Sequence, residues 1–344
     1  MKGDRRGRTP NASLSRIPGS RVRSASMFAV PKRIVLDVDT GTDDALAILY
    51  ALRHPDLEVL GISCVAGNAT LDQVVINTCK VLDAAAAGDI PVAAGAAEPL
   101  IERARRHGRS HGPDGFGGIH LPESVRKRSP LHAVELLHQL IMNSPEPVTL
   151  VSLAPKTNVA LLLTRYPDLA ARLEQIIFMG GSVGGGSVTA VAEFNVWQDP
   201  EAASIVIESS IPLTMYGLDI FHRLVVAQTD IDRLRAHDHP AMWLAGELLY
   251  RRRVSSDRPG SECMGLVGDA GAMVLLTNPE LFITCERPVR VNLEGVGRGQ
   301  IDQRATTGKA TGCDHAWPKI AAALDLEAAK AASAFVETID GYAA

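Results

Sequence analysis

The chain has 344 residues, a formal net charge of −4, and 46% apolar against 22% charged residues. These are the proportions of a folded globular protein and exclude a disordered or collagen-like chain. The mildly acidic balance argues against nucleic acid as a partner, and no apolar run reaches the roughly 18 residues that span a bilayer, so no membrane partner is expected either.

Residues 1–30 open the chain differently from the rest. Lys2, Arg5, Arg6, Arg8, Arg16, Arg21 and Arg23 face the single acid Asp4, among Ser, Gly and Pro. Such a stretch buries too little apolar surface to offset its chain entropy, and it reads as a disordered basic N-terminal tail. No apolar segment follows it, which argues against a signal peptide; an organellar transit peptide or a true start at Met27 are the alternatives. Residues 31–344 read as one domain, since no linker interrupts them.

In that domain short β-branched runs alternate with helical stretches. The pattern predicts strand Ile34–Asp39 and helix Asp43–Arg53, then strand Val59–Val65 and helix Leu71–Ala87. Further on it predicts strand Val148–Leu153 and helix Asn158–Leu163, strand Gln175–Met179 and helix Pro200–Ser209, and strand Leu213–Leu218. A helix is expected over Pro240–Arg252. Alternation of this kind implies βαβ units. The predicted fold is therefore α/β, a single domain with a mainly parallel, Rossmann-like open sheet flanked by helices. Ser110–Pro122 and Arg251–Gly268 read as long loops of the kind that often bind ligands. The five cysteines (Cys64, Cys79, Cys263, Cys285, Cys313) form no CxxC pair. They suggest neither a zinc site nor a disulfide framework, and a reducing cytoplasm is the expected location.

The strongest signal is Asp37-Val-Asp39-Thr-Gly-Thr-Asp43-Asp44-Ala. It reads as the end of a buried strand, a Gly turn and a helix start, which brings acids to the carboxyl edge of a parallel sheet, where ligands bind. A helix N-terminus welcomes one or two acids; this cluster exceeds that. Like charges so close raise one another's pKa unless a cation neutralises them, and a hard divalent ion with oxygen ligands answers the need. The bland reading is a solvated turn followed by two helix-start acids. An aspartyl-nucleophile phosphatase, whose strand ends in DxDxT, is a poorer match because Gly41 stands where its Thr belongs.

This segment resembles the N-terminal signature of the inosine–uridine-type nucleoside hydrolases, and the resemblance extends over residues 32–340. Further matches follow in order: Val65-Ala-Gly-Asn68, His111-Gly-Pro-Asp-Gly, Thr157-Asn158-Val-Ala, Met179-Gly-Gly, Ala192-Glu193-Phe-Asn195, Asp199-Pro-Glu-Ala, Gly217-Leu-Asp219 and Asp269. The resemblance implies the nucleoside hydrolase fold, a tightly bound Ca²⁺ and hydrolysis of ribonucleosides to ribose and free base. It implies Asp39, Asp44, Asp269 and the backbone carbonyl of Leu153 as metal ligands, with Asp39 also the general base. Asp43, Asn68, Asn195 and Glu193 would bind ribose, Met179 would line the pocket, and His111 has a family counterpart with a catalytic role. It also implies a homodimer or homotetramer. Asp199, before Pro200, is most simply a helix N-cap.

Two departures stand out. Gly268 occupies the position where base-nonspecific and pyrimidine-preferring members carry a His that helps the base leave. Ser187 stands where an Asn often binds the 5′-hydroxyl. Trp197, Trp243, Tyr250, Phe116 and Phe221 are the aromatics able to stack on a base, and His222 is a further candidate near the pocket. Arg251, Arg252 and Arg253 could enter the pocket from the adjoining loop, but they read more simply as a solvated face. Two alternatives remain open: a catalytically weak nucleoside- or ribose-binding homologue, and a hydrolase of another riboside such as nicotinamide riboside, whose base departs without protonation.

Overall fold

In the strand Lys32–Val38 the consecutive residues Ile34, Val35 and Leu36 are apolar and buried, as a strand covered on both faces requires. This strand, β1, is central in the computed structural model, which describes residues 30–103, 111–254, 263–303 and 317–343. The basic tail, apart from Val30, and Cys313 lie outside the described residues. The helices are α1 (Thr42–Arg53), α2 (Leu71–Ala84), α3 (Ala133–Asn143), α4 (Thr157–Arg165), α5 (Phe194–Gln198), α6 (Pro200–Ile207), α7 (Leu218–Phe221), α8 (Gln228–Arg235), α9 (Pro240–Arg251), α10 (Ala270–Thr277) and α11 (Ala328–Asp340).

The strands after β1 are β2 (Leu57–Cys64), β3 (Val92–Ala94), β4 (Val148–Ser152), β5 (Leu173–Met179), β6 (Leu213–Tyr216), β7 (Val225–Val226), β8 (Arg253–Val254), β9 (Met264–Leu266), β10 (Phe282–Val291), β11 (Ile301–Gln303) and β12 (Lys319–Leu326). Nine of them form one sheet in the order β11-β10-β12-β6-β5-β4-β1-β2-β3. From β12 to β3 every pairing is parallel; β10 runs antiparallel to β12 and to β11. The predicted parallel α/β domain is thus present, with element ends shifted by a few residues.

Strand order reverses between β1 and β4. The chain runs outward from β1 through β2 to β3 and returns through β4 to continue on the other side. The carboxyl ends of β1 and β4 therefore border the crevice in which an open α/β sheet takes its ligand.

Two cores cover the faces. Ile34, Leu36 and Val38 pack with α1, α2, α9, α10 and α11 on one side, and Val35 packs with β4, α3, α4 and α6 on the other. A strand alternates its side chains between faces, so Asp37 shares the face of Val35.

Arg251–Gly268 is not wholly a loop. Among its described residues, β9 pairs with β8 on one side and with β7 on the other in a separate three-stranded antiparallel sheet. β7 follows α7, β8 follows α9 and β9 leads into α10, so this sheet gathers the ends of those segments. The antiparallel edge β10–β11–β12 has no counterpart in the predicted strands. In β10, charged residues and Pro288 break the apolar run, and proline is tolerated because this is sheet margin.

Candidate active site

Asp39 follows β1 directly, and Asp43 and Asp44 lie in the first turn of α1. Asp269 is brought beside them as the N-cap of α10. All four are buried, at 4% exposure or less. One carboxylate oxygen each from Asp43, Asp44 and Asp269 falls within 4.8 Å of the others. The helix start organises the group: Gly41 N donates to Asp44 Oδ2 at 2.9 Å and Asp39 N to Asp44 Oδ1 at 3.3 Å. Asn68, after β2, donates its backbone N to Asp39 Oδ2 at 2.6 Å and its Nδ2 to Asp44 Oδ2 at 3.2 Å.

Asp37 stands apart. On the opposite face of β1 it accepts from Ser63 Oγ at 2.6 Å and Asn158 Nδ2 at 2.9 Å, pinning β2 and α4 to β1. Burial raises its pKa to about 6. It is part of the scaffold, so the acid signature contributes three members to the pocket and Asp269 supplies the fourth.

Burial, followed by the charge of Asp44, holds Asp39 well above the ordinary carboxylate range. Burial and then Asp43 do the same to Asp269, and burial and Asp43 raise Asp44 to about 7. Asp43 differs: burial pushes it up, but Arg252 and His111 outweigh that and leave it lowered. Asp39 Oδ1 and Asp43 Oδ1 are buried without a hydrogen-bond partner. Acids packed this way need protons or a cation. A hard divalent cation fits: the donors are all oxygen, two of them are buried without a hydrogen-bond partner, and the charge to be balanced is negative.

A pocket of about 270 Å³ opens above these acids. Asp43, Asn68, His111, Leu153, Met179, Ser187, Glu193, Asn195 and Asp269 all line it, which unites the expected site residues apart from Asp39 and Asp44, whose side chains lie beneath. Asn195 Nδ2 donates to the Leu153 carbonyl at 2.8 Å and approaches Met179 Sδ at 3.2 Å. A carbonyl has two lone pairs, so that of Leu153 keeps one free. Glu193 is the N-cap of α5, accepting from Asn195 N, Val196 N and Gly181 N. Ser187 Oγ accepts from Phe194 N at 3.2 Å. Asp199 is the expected N-cap, accepting from Ala202 N at 3.1 Å.

One side chain escaped the sequence reading and another was assigned to the wrong surroundings. Lys156, at the start of α4, is buried at 1% exposure and donates to the carbonyls of Met179 at 2.8 Å, Ala154 and Ser152. Burial lowers it to about 8 against the pull of Glu193, Asp37, Asp39 and Asp269. It is a cation set among the acids. Arg252 overturns its assignment to a solvated face: Arg251 and Arg253 are exposed, but the Arg252 side chain is 13% exposed and lines the pocket. Its Nη2 lies 3.0 Å from Asp43 Oδ2 and its Nη1 3.3 Å from His111 Nε2. His111 Nδ1 accepts from Thr42 N at 3.3 Å and lies 2.9 Å from Thr42 Oγ1.

Of the stacking candidates, Phe221 lines the pocket, as do Phe194 and His222. Phe116 is in the core and Trp243 packs against it. Tyr250 lies between Arg235 and Arg253, 3.8 and 3.6 Å from their guanidinium carbons. Gly268 has φ +64°, and a Cβ there would meet Asp43 Cβ and Oδ2 at 2.6 Å. Backbone and space alike favour glycine there.

The profile described as "Inosine-uridine preferring nucleoside hydrolase" matches residues 34–332. A pyrimidine-specific ribonucleoside hydrolase RihA of Salmonella arizonae is 41% identical over 263 residues, 76% of this chain and 85% of that protein. A RihA of Shewanella baltica is 39% identical over 282 residues, 81% and 89% of the two chains. Among solved structures, a plant nucleoside hydrolase (PpNRh1) superposes with TM-score 0.82 at 27% identity, covering 90% of this chain and 99% of its own. A purine-preferring ribonucleoside hydrolase from Gardnerella vaginalis does so with TM-score 0.80 at 27% identity, covering 91% and 99%.

Proposed function

The chain belongs to the inosine–uridine preferring nucleoside hydrolase family, and from that premise we propose that it is a Ca²⁺-dependent enzyme splitting the N-glycosidic bond of ordinary ribonucleosides. That it is a ribonucleoside hydrolase follows from the family. The cation, the residue roles and the biological setting are the proposal.

The observation that carries it is the buried acid group of Asp43, Asp44 and Asp269, next to Asp39, whose buried Oδ1 has no hydrogen-bond partner. Arg252 and His111 already compensate Asp43, which frees it to take ribose hydroxyls. Asp39, Asp44, Asp269 and the free lone pair of the Leu153 carbonyl are then the set that holds the cation. When bound, Ca²⁺ supplies Lewis acidity that acidifies water and helps order the sugar.

Asp39 accepts the proton of the attacking water as general base. Asn68, Asn195 and Glu193 hold ribose hydroxyls, Ser187 reaches the 5′ end, and Met179 lies under the sugar. Carboxylates and amides ringing the ring stabilise positive charge growing at C1′. His111, whose basicity burial lowers, serves the leaving-base end by seating Asp43 and Arg252. Nucleoside salvage in the cytoplasm by a homodimer or homotetramer is the setting we infer, isologous pairing being the usual route to such oligomers.

The test is free ribose released from inosine, adenosine, guanosine, uridine, cytidine and nicotinamide riboside, with Ca²⁺ and after chelation. Release that stops on chelation and returns with Ca²⁺ supports the reading. Release indifferent to chelation removes the cation from it. No release from folded, Ca²⁺-loaded protein favours the binding homologue.

A further inference from the structure

The pocket has two unlike sides. Asp43, Asp269 and Glu193 form an acidic floor, with Asp39 and Asp44 buried next to Asp43, while His111, His222 and Arg252 form a nitrogen-rich wall. The wall comes from three separated segments: the loop at His111, the C-cap of α7 and the C-cap of α9. Arg252 is held firmly, since its N donates to Leu248 O and its O accepts from Leu266 N at 3.1 Å. Among the described residues lining the pocket it is the one permanent cation. Two of its five N–H groups face Asp43 and His111, leaving three to donate elsewhere. Gly268 presents no side chain to do so.

We propose that Arg252 is the leaving-group residue of this enzyme, receiving the departing base as an anion and restricting good substrates to nucleosides of acidic, carbonyl-bearing bases. The proposal rests on the hydrolase reading above. In the step, water oxygen bonds to C1′ and gives a proton to Asp39. The C1′–N bond breaks and its electron pair stays on the base. Arg252 donates N–H to a base oxygen or ring nitrogen on which that charge is spread; it stays protonated throughout, and the base takes its proton from solvent. Uracil and hypoxanthine depart readily in this way. Adenine has no carbonyl and a less acidic ring N–H. Nicotinamide riboside is cationic, and the wall repels it.

The test compares uridine with 4-nitrophenyl β-ribofuranoside, whose phenolate leaves unaided. Loss of one donor to a developing anion costs about 10²–10³-fold. R252Q should therefore lose at least about 30-fold more kcat/KM on uridine than on the nitrophenyl riboside. Any disturbance of Asp43 strikes both substrates and cancels in that ratio. R252K, with the charge but not the fork, should fall between; if R252Q does not fold, R252K is read on the same pair. Equal losses on the two substrates overturn the proposal and reduce Arg252 to a seat for Asp43. Wild-type turnover of adenosine or nicotinamide riboside above that of uridine and inosine overturns it as well. Wild-type protein inert towards the nitrophenyl riboside and all nucleosides instead overturns the hydrolase reading beneath it.

Discussion

The nine-stranded sheet and the three-stranded sheet contribute opposite halves of one pocket. The large sheet delivers acids at the ends of parallel strands, held by backbone N–H groups at the α1 N-terminus. The small sheet, β7-β9-β8, joins the segments that carry His222 and Arg252, and through the turn after β9 it also lends Asp269 to the acid side. The first suits a cation and a sugar turning positive; the second suits a base turning negative. Bond heterolysis separates charge in that sense, so the two sheets divide the transition state between them.

Removing the floor should do most damage. D39A loses both the general base and an oxygen ligand, and kcat/KM should fall by about 10³-fold or more, measured as ribose release with circular dichroism confirming the fold. Activity within about tenfold of wild type, ~1.4 kcal/mol of barrier, breaks the assignment. The wall comes next, through the uridine-to-nitrophenyl riboside ratio of R252Q.

A third measurement separates the halves without turnover. By calorimetry, D269N should weaken Ca²⁺ binding by at least about tenfold, while R252Q should not weaken it. Weakening by both would mean that the wall is part of the metal site. The smallest effect belongs to the sugar's far end. S187N extends the polar reach toward the 5′-hydroxyl and should lower KM for uridine by a few fold, about the worth of one hydrogen bond. KM for 5′-deoxyuridine should stay where it was; a fall in both would place residue 187 elsewhere.

The floor was legible in the sequence because its determinants are local. A buried strand, a glycine turn and a helix start lie within a dozen residues, and their spacing implies convergence. The same alternation predicted β1, β2, β4, β5 and β6 with α1, α2, α4 and α6, and missed β3 and α3. The wall was not legible. Arg252 sits between two exposed arginines, and nothing in Tyr250-Arg-Arg-Arg253 says which one turns inward. That choice is made by where α9 ends and by the pairing of β8 with β9. Lys156 lies between Pro155 and Thr157 with no apolar run to announce burial; the carbonyls that hold it come from the ends of β4 and β5. Asp37 shows the converse. On paper it counted in the acid cluster, and hydrogen bonds from Ser63 and Asn158 make it a scaffold brace instead.

Lys156 has a consequence for an emptied site. Its ammonium is tethered to the chain and cannot be chelated, so acids deprived of their divalent ion still have a neighbour of opposite sign. If the site holds Ca²⁺ as proposed, chelation idles the enzyme and leaves its frame standing, ready to be refilled. An uncharged side chain at position 156 would shift the whole electrostatic load onto the diffusible ion, and a cation needed for turnover would become one needed for folding.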